Sequence, residues 1–327
     1  MAGIMTPLHA QPSGTQEQQL AALAGKDTIT NLVTDSGLGG LSVCAAIDSL
    51  ARATGRFGDV HLIFANALPD AGSGYNKMKS MERKVQVFDD ALRGMTARFH
   101  PDLVLIACNT LSVVYPLTPF SRETHIPVIG IVSMGVDMLQ EELERHPDRS
   151  AIVFGTETTI GAETHKRMLI ERGIAPDRIV NQACPNLAGQ IERDARGEAV
   201  RAAIRGFAVE AAGNRKHPDR GVVAALCCTH YGYCTEFFRE ALAGLTPAGI
   251  TIIDPNMRMS QLLFPPADST ARRHATVRCT VRVVSRAEIT EEEIRSISGL
   301  LAPVSLPAAA ALRSYEFQTD LFPYTAE

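Results

Sequence analysis

Leu103-Val104-Leu105-Ile106-Ala107-Cys108-Asn109-Thr110 joins five apolar residues to a thiol, an amide and a hydroxyl. An unbroken apolar run of this length predicts a strand buried on both faces, as in a parallel sheet. The carboxyl ends of such strands face the ligand crevice of an open α/β sheet, so polar groups placed there meet a substrate. A second run, Gly221-Val222-Val223-Ala224-Ala225-Leu226, ends on Cys227, Cys228, Thr229 and His230. Two buried strands, each delivering a cysteine with polar neighbours, predict two thiols facing one another across one pocket.

Outward from these runs the chain alternates strands and helices. Ile29 to Thr34 is a β-rich run closed by Asp35-Ser36-Gly37-Leu38-Gly39-Gly40, after which Leu41, Val43, Ile47 and Leu50 recur at helical spacing. The glycines allow backbone N–H groups to approach an anion at the helix start. Neither the dinucleotide fingerprint G-x-G-x-x-G nor the Gly-Lys-Ser/Thr of a P-loop is met. Asp35 or Ser36 also reads as a plain helix cap. Val60 to Ala65 predicts the next strand, ended by Asn66, and the Pro- and Gly-bearing segment 67–80 predicts a loop over the pocket. Met81, Val85, Phe88, Leu92, Met95 and Phe99 predict an amphipathic helix over 81–99, its Met and Phe stripe turned to the core.

Further strands are predicted at 126–131, 151–154, 178–183 and 250–253. Helices are predicted at 134–144, 161–172 and 198–212, one more through Phe237 and Leu242, and one carrying Glu192. Such alternation implies an α/β chain of doubly wound parallel sheets with helices on both faces. Two units are expected: residues 28–131 plus 246–327, the latter part including a C-terminal extension, and residues 132–245 between two crossings. Residues 1–27, rich in Gln, Ala, Gly and Pro, predict a flexible tail without the pattern of a secretion signal. Beyond about residue 265 come alternating valines to Val284, helices at 291–301 and 306–313, and Phe317, Leu321, Phe322 and Tyr324, expected to dock on the body or on a neighbouring subunit.

A chain of 327 residues with 45% hydrophobic and 21% charged residues has the composition of a globular protein with a large core. A net charge of -4 offers no broad positive field, which argues against nucleic acid or anionic membrane as partner. No apolar run approaches the ~20 residues of a membrane span. Seven cysteines, an odd number in a large chain, point to reduced thiols and a cytoplasmic setting.

A free thiol titrates near ~8.5, and a helix N-terminus or a cation beside it favours thiolate. Two thiols on opposite faces of a carbon acid act as base and acid in one turnover, which inverts the stereocentre. Asp35 is expected to accept or relay a proton for Cys108, and His230 for Cys228, with Glu192 orienting the imidazole. Any one cysteine is by default a small apolar residue. Cys44 reads as core, Cys184 and Cys227 as packing, and Cys234 and Cys279 carry no signal. A zinc site on Cys227, Cys228, His230 and Cys234 is disfavoured, since adjacent strand residues face opposite ways. No metal is therefore expected.

With these residues assembled, the chain resembles the glutamate racemase branch of the aspartate/glutamate racemase superfamily. The matching segments are Thr34-Asp-Ser-Gly-Leu-Gly-Gly-Leu-Ser-Val43, Ala107-Cys-Asn-Thr110, Cys184-Pro185 followed by Glu192, and Cys228-Thr-His-Tyr231, spanning roughly residues 29–256. The resemblance implies two pseudo-symmetric α/β domains with the active site between them, and cofactor-free racemisation by two cysteines, Cys108 and Cys228. It implies Asp35, Glu192 and His230 as their assistants, with Ser36, Asn109, Thr110 and Thr229 lining or holding the substrate. The expected partner is a small amino acid or related carboxylic acid, and the expected assembly a homodimer. A decarboxylase or cis-trans isomerase of the same superfamily, and a ligand-binding protein without activity, are the alternatives.

The chain departs from that branch in three places of the matching region and in the stretch beyond about residue 265, which has no counterpart there. The Pro-Tyr-Gly segment that helps bind a side-chain carboxylate is replaced by the longer Asn66-Ala-Leu-Pro-Asp-Ala-Gly-Ser-Gly-Tyr75-Asn76. Gly232 stands where proline is usual, and Cys227 where glycine is usual. Either Lys77 or Lys79 turns inward there, or Tyr75 and Asn76 line a pocket for a different substrate. Glutamate itself is expected to be a poor substrate.

Overall fold

The computed structural model describes residues 16–21, 23, 25–246, 248–264 and 274–326. Among them are ten strands: β1 Thr28–Asp35, β2 Asp59–Asn66, β3 Leu103–Ile106, β4 Val128–Gly130, β5 Ser150–Gly155, β6 Ile179–Ala183, β7 Val222–Cys227, β8 Ile250–Ile253, β9 Arg278–Ser285 and β10 Glu316–Phe317. They form a six-stranded sheet in the order β10-β9-β2-β1-β3-β4 and a four-stranded sheet in the order β6-β5-β7-β8. Every pairing is parallel. Each sheet has a buried cluster on either face, with Ile29 and Val33 of β1 on one side and Leu32 on the other. The same division separates Ile152 from Val153 in β5. This is the doubly wound α/β architecture expected from the alternation of elements.

Register places the chemistry. Asp35 lies abreast of Asn66 on β2, which in turn lies abreast of Ser285 on β9. Thr34 lies abreast of Ile106, so Cys108 emerges just past the end of β3. In the second sheet Gly155 is abreast of both Ala183 and Cys227, so Thr156, Cys184 and Cys228 leave their strands along one line. Parallel strands share a direction, so all these ends fall at the carboxyl edges of their sheets.

The helix Met81–Phe99 shows how the local pattern becomes packing. Ser80 caps it, its side chain accepting from the Arg83 N–H, and His100 ends it in the left-handed region at φ 45°. Phe88, Leu92 and Met95 are fully buried against Leu32, Val104 and Ile106. Each such side chain contributes about 1.5–3 kcal/mol. Leu92→Ala would cost about 2–5 kcal/mol, because the void would not fully close.

Three features differ from the reading of the sequence, and in a fourth the structure takes one of the two expected outcomes. The return to the first sheet comes after Ile253 and not near residue 245, because β8 pairs with β7. An apolar run states that a strand is buried but not which neighbour it takes. The helix expected at 161–172 runs Thr164–Glu171, and a separate short helix, Glu157–Gly161, precedes it across Glu163, which takes a left-handed φ of 52°. Of the expected tail, residues 1–15, 22 and 24 lie outside the described residues. Gln16–Ala21 is helical, Leu23 is buried, and Lys26 pairs with Asp102 at 2.6 Å. The valine-rich C-terminal run becomes β9 beside β2, so the extension widens the first sheet. Phe322 and Leu321 dock on its core.

Candidate active site

The carboxyl edges of the two sheets border a cavity of about 420 Å³. Cys108 enters it from the first sheet and Cys228 from the second, each 6% exposed. Both thiols belong to the lining of this one cavity. Around each stands its own polar group.

On the Cys108 side, the thiol lies 3.2 Å from the Ser36 hydroxyl and against the Asp35 carboxylate. Asp35 is 1% exposed, and both its oxygens accept hydrogen bonds. Oδ1 accepts from the Ser36 N–H, and Oδ2 accepts from the Gly40 N–H and the Thr229 hydroxyl. Burial nevertheless raises its pKa, against the opposing pull of His230 and these donors. Burial and then the Asp35 charge push the Cys108 thiol well above its ordinary value. The helix Asn109–Val114 starts directly after Cys108, yet its dipole does not make the resting group a thiolate. A helix of six residues gives a weak field, and a buried carboxylate beside the sulfur opposes it.

On the Cys228 side, the sulfur lies 3.6 Å from His230 Nδ1, and His230 Nε2 lies 2.7 Å from Glu192 Oε1. Burial of the ring favours its neutral form, but Glu192 and Cys228 outweigh it and hold the His230 pKa well above the usual histidine value. Burial pushes Glu192 up as well, and there the His230 charge and the Leu38 N–H win, so its pKa is lowered. The pair is therefore ionic, with side chains only 6% and 15% exposed. The turn that permits this approach needs glycine: a Cβ on Gly39 would sit 2.2 Å from Thr229 Oγ1 and 2.7 Å from His230 Nδ1. Beyond Cys228 the chain makes a 3₁₀ turn, Thr229–Cys234, and enters the helix Thr235–Ala243.

The remaining residues named from the sequence also gather here. Asn109 is 2% exposed, lines the cavity, and has no partner for either amide atom among the described residues. A buried amide left open in this way has its hydrogen-bonding capacity free for a ligand. The Thr110 hydroxyl lies 2.7 Å from Thr156 Oγ1 and 3.3 Å from Thr159 Oγ1. Thr229 spends its proton on Asp35. Tyr75 lines the cavity with its ring, while its hydroxyl donates to the Ala67 carbonyl at 3.2 Å. Asn76 and Lys77 line the outer part, and Asn76 Oδ1 accepts from the Thr158 N–H. Of the two loop lysines, it is Lys77 that borders the cavity.

Some of the lining is not legible from the residues alone. Thr156 does carry a signal, since it stands in a run of small hydroxylated residues directly after a strand. Glu288, Ile289 and Thr290 border the cavity from the turn between β9 and the helix Glu291–Leu301, and Glu293 from the first turn of that helix. Their local trace in the sequence is only the Thr290/Glu293 capping box. The cysteines outside the reacting pair fall where packing takes them. Cys44 is in the core, Cys184 is buried at the cavity edge, and all seven are free thiols. Cys227 packs with Val223 and Ala225 while Cys228 packs with Ala224 and Leu226, and the Cys234 thiol donates to the Ala195 carbonyl. No group of three or more metal-ligating side chains converges among the described residues. Nor is any helix among them long and apolar enough to cross a membrane.

Residues 35–257 match the family model described as Asp/Glu/Hydantoin racemase, and the chain belongs to that family. It is 29% identical over 242 residues to a glutamate racemase of Phenylobacterium zucineum, covering 66% of this chain and 78% of the relative. To a glutamate racemase of Granulibacter bethesdensis it is 28% identical over 282 residues, covering 85% and 83%. In fold it resembles the glutamate racemase of Francisella tularensis solved in complex with D-glutamate, with a TM-score of 0.62 at 18% identity over 84% of this chain and 94% of that one. The RacE1 isoform of Bacillus anthracis glutamate racemase gives the same TM-score over 90% and 96%.

Proposed function

We propose that the protein is a cofactor-independent amino-acid racemase in which Cys108 and Cys228 exchange the α-proton from opposite faces. The observation that carries this is the pair of thiols entering one cavity from two sheets, each with its own proton-handling partner. A carbon acid held between them loses its proton to one thiolate while the other thiol delivers a proton from behind. The product is the mirror-image centre, and the two sulfurs have exchanged protonation states.

The two sides are prepared differently. Asp35, its proton affinity raised by burial, takes the Cys108 proton when that sulfur must act as base. His230, held cationic by Glu192, lies against the Cys228 sulfur and returns a proton to it. The open amide of Asn109 and the hydroxyl of Thr110 are assigned to the substrate's α-carboxylate, and Ser36 to the wall beside Cys108. Under this reading the domains are residues 28–131 with the C-terminal part and residues 132–253, the working setting is the reducing cytoplasm, and the assembly is a homodimer. Sedimentation would check the last point.

The test is a racemisation screen over the common amino acids, followed by chiral chromatography. Turnover that depends on both Cys108 and Cys228 supports the reading. Absence of α-proton exchange with every amino acid would defeat it.

A further inference from the structure

Lys84 stands in the first turns of the Met81–Phe99 helix, on the side of the first sheet. Its Nζ donates to Thr158 Oγ1 at 2.7 Å, in the helix Glu157–Gly161 that follows β5 of the second sheet. The Thr158 N–H donates to Asn76 Oδ1 at 3.2 Å, in the short turn Tyr75–Lys77. Asn76 and Glu157 both border the cavity, whereas Thr158 and Lys84 lie behind them, outside the lining. Thr158 is 7% exposed and Lys84 is half-buried beside Glu157, so this ammonium is not a freely solvated surface group.

Other bonds join the two sheets through buried residues of the cavity lining, among them Thr229 to Asp35 and Thr110 to Thr156. The Lys84–Thr158–Asn76 chain adjoins the Thr110–Thr156 bond and carries the contact outward, to where the exposed Asn76 of loop 67–80 meets the helix Glu157–Gly161. We propose that Lys84 and Thr158 form a clasp that closes the outer end of the cavity and sets how tightly the substrate is held. They are positioning residues, acting through Asn76 and Glu157 and touching no reacting atom. A hydrogen bond donated by an ammonium is shorter and stronger than one between neutral groups. Loop 67–80 is anchored to the first sheet by the buried Tyr75 and by Arg286 on the Pro69 carbonyl, so a bond across the cleft acts on its Asn76 end. The effect on substrate binding rests on the function proposed above; the closure of the loop does not.

Two variants test it, Lys84→Met, which keeps the stem, and Thr158→Val, which keeps the shape and the N–H to Asn76. Amide hydrogen exchange is the first readout and needs no substrate. Exchange in segments 74–80 and 157–162 should quicken roughly tenfold in Lys84→Met, with β3 and β7 unchanged, as the loss of one charged hydrogen bond implies. Unchanged protection in both segments would overturn the clasp. The second readout is kinetic, with L-glutamate and L-lysine as probes alongside whichever amino acid the screen finds best. KM should rise about tenfold with kcat within about twofold, the pattern of lost uniform binding. The double variant should be no worse than either single one, and Lys84→Arg should restore KM. A fall in kcat at constant KM, or additive losses in the double variant, would overturn the proposal. If wild-type protein turns over no amino acid, the proposed function fails, and the exchange data still decide the clasp.

Discussion

The Thr229 hydroxyl donates to Asp35 Oδ2 at 2.7 Å, joining the carboxylate beside Cys108 to the residue directly after Cys228. The support for one thiol is therefore built partly from the strand that delivers the other. Asp35 holds its position through this bond and through the Ser36 and Gly40 N–H groups. Its charge in turn raises the proton affinity of Cys108.

A consequence can be read by alkylation. In Asp35→Asn the charge opposing thiolate at Cys108 is gone, so the Cys108 pKa should fall. Iodoacetamide labelling of Cys108, followed by mass spectrometry across pH, should reach half its maximum rate at lower pH than in the wild type. Racemisation should fall at the same time, by ~10²-fold or more, if Asp35 serves as proton relay. Labelling that shifts to higher pH would mean the carboxylate is not the group acting on this sulfur.

Either thiol should be indispensable. Cys108→Ala and Cys228→Ala should each lose ~10²–10⁴-fold in turnover, the usual cost of removing an acid/base group. Cys279→Ala, remote from the cavity lining, should keep activity. Full activity in either of the first two variants would end the two-base mechanism.

Solvent isotope should enter asymmetrically. Reaction in heavy water labels the inverted product at its α-carbon, because the donating thiol exchanges with solvent between turnovers. The starting enantiomer should gain little label early. Equal early labelling of both would indicate one base reaching both faces.

The ion pair between His230 and Glu192 should be visible in stability as well as in titration. Glu192→Gln leaves a buried imidazolium without its partner, at a cost of about 3–5 kcal/mol. The His230 pKa is raised on folding, so its share of stability is complete below the ordinary histidine value and is lost as pH rises through the raised one. The Glu192 pKa is lowered, so its share is present above the ordinary carboxylate value and lost as pH falls through the lowered one. The difference between wild type and variant in urea unfolding should thus be greatest between those limits and shrink outside them. In the variant, NMR titration should find the His230 pKa reduced.

Substrate choice should track the outer wall. The Tyr75 hydroxyl is committed to Ala67, and the Asn66 amide to Ser285 and Leu68. A side-chain carboxylate arriving there meets few open donors, and an unpaired buried carboxylate is costly. Lys77 is the cation of loop 67–80 on the lining, and it is solvent-exposed. Glutamate should therefore show a lower kcat/KM than another amino acid in the screen. A value for glutamate as high as for every alternative would mean that Lys77, Arg193 or another donor of the lining meets that carboxylate.

The sequence by itself determined the strands, their doubly wound arrangement, and the residues that meet at their ends. Apolar runs such as 103–107 and 222–226 can be satisfied only by burial on both faces, and a parallel sheet then sends Cys108 and Cys228 to a carboxyl edge. Local spacing was enough for that, as it was for the helix Met81–Phe99. Tertiary structure decided what sits opposite what. That β8 joins β7, that β9 lies beside β2 and brings Thr290 to the cavity, and that Thr229 spends its proton on Asp35 all depend on contacts between residues far apart in the chain. The protonation state of Cys108 belongs to the same class. A cysteine before a helix reads as a thiolate, and burial beside a carboxylate reverses it, because desolvation and charge proximity are set by the assembled site and leave no trace in local sequence.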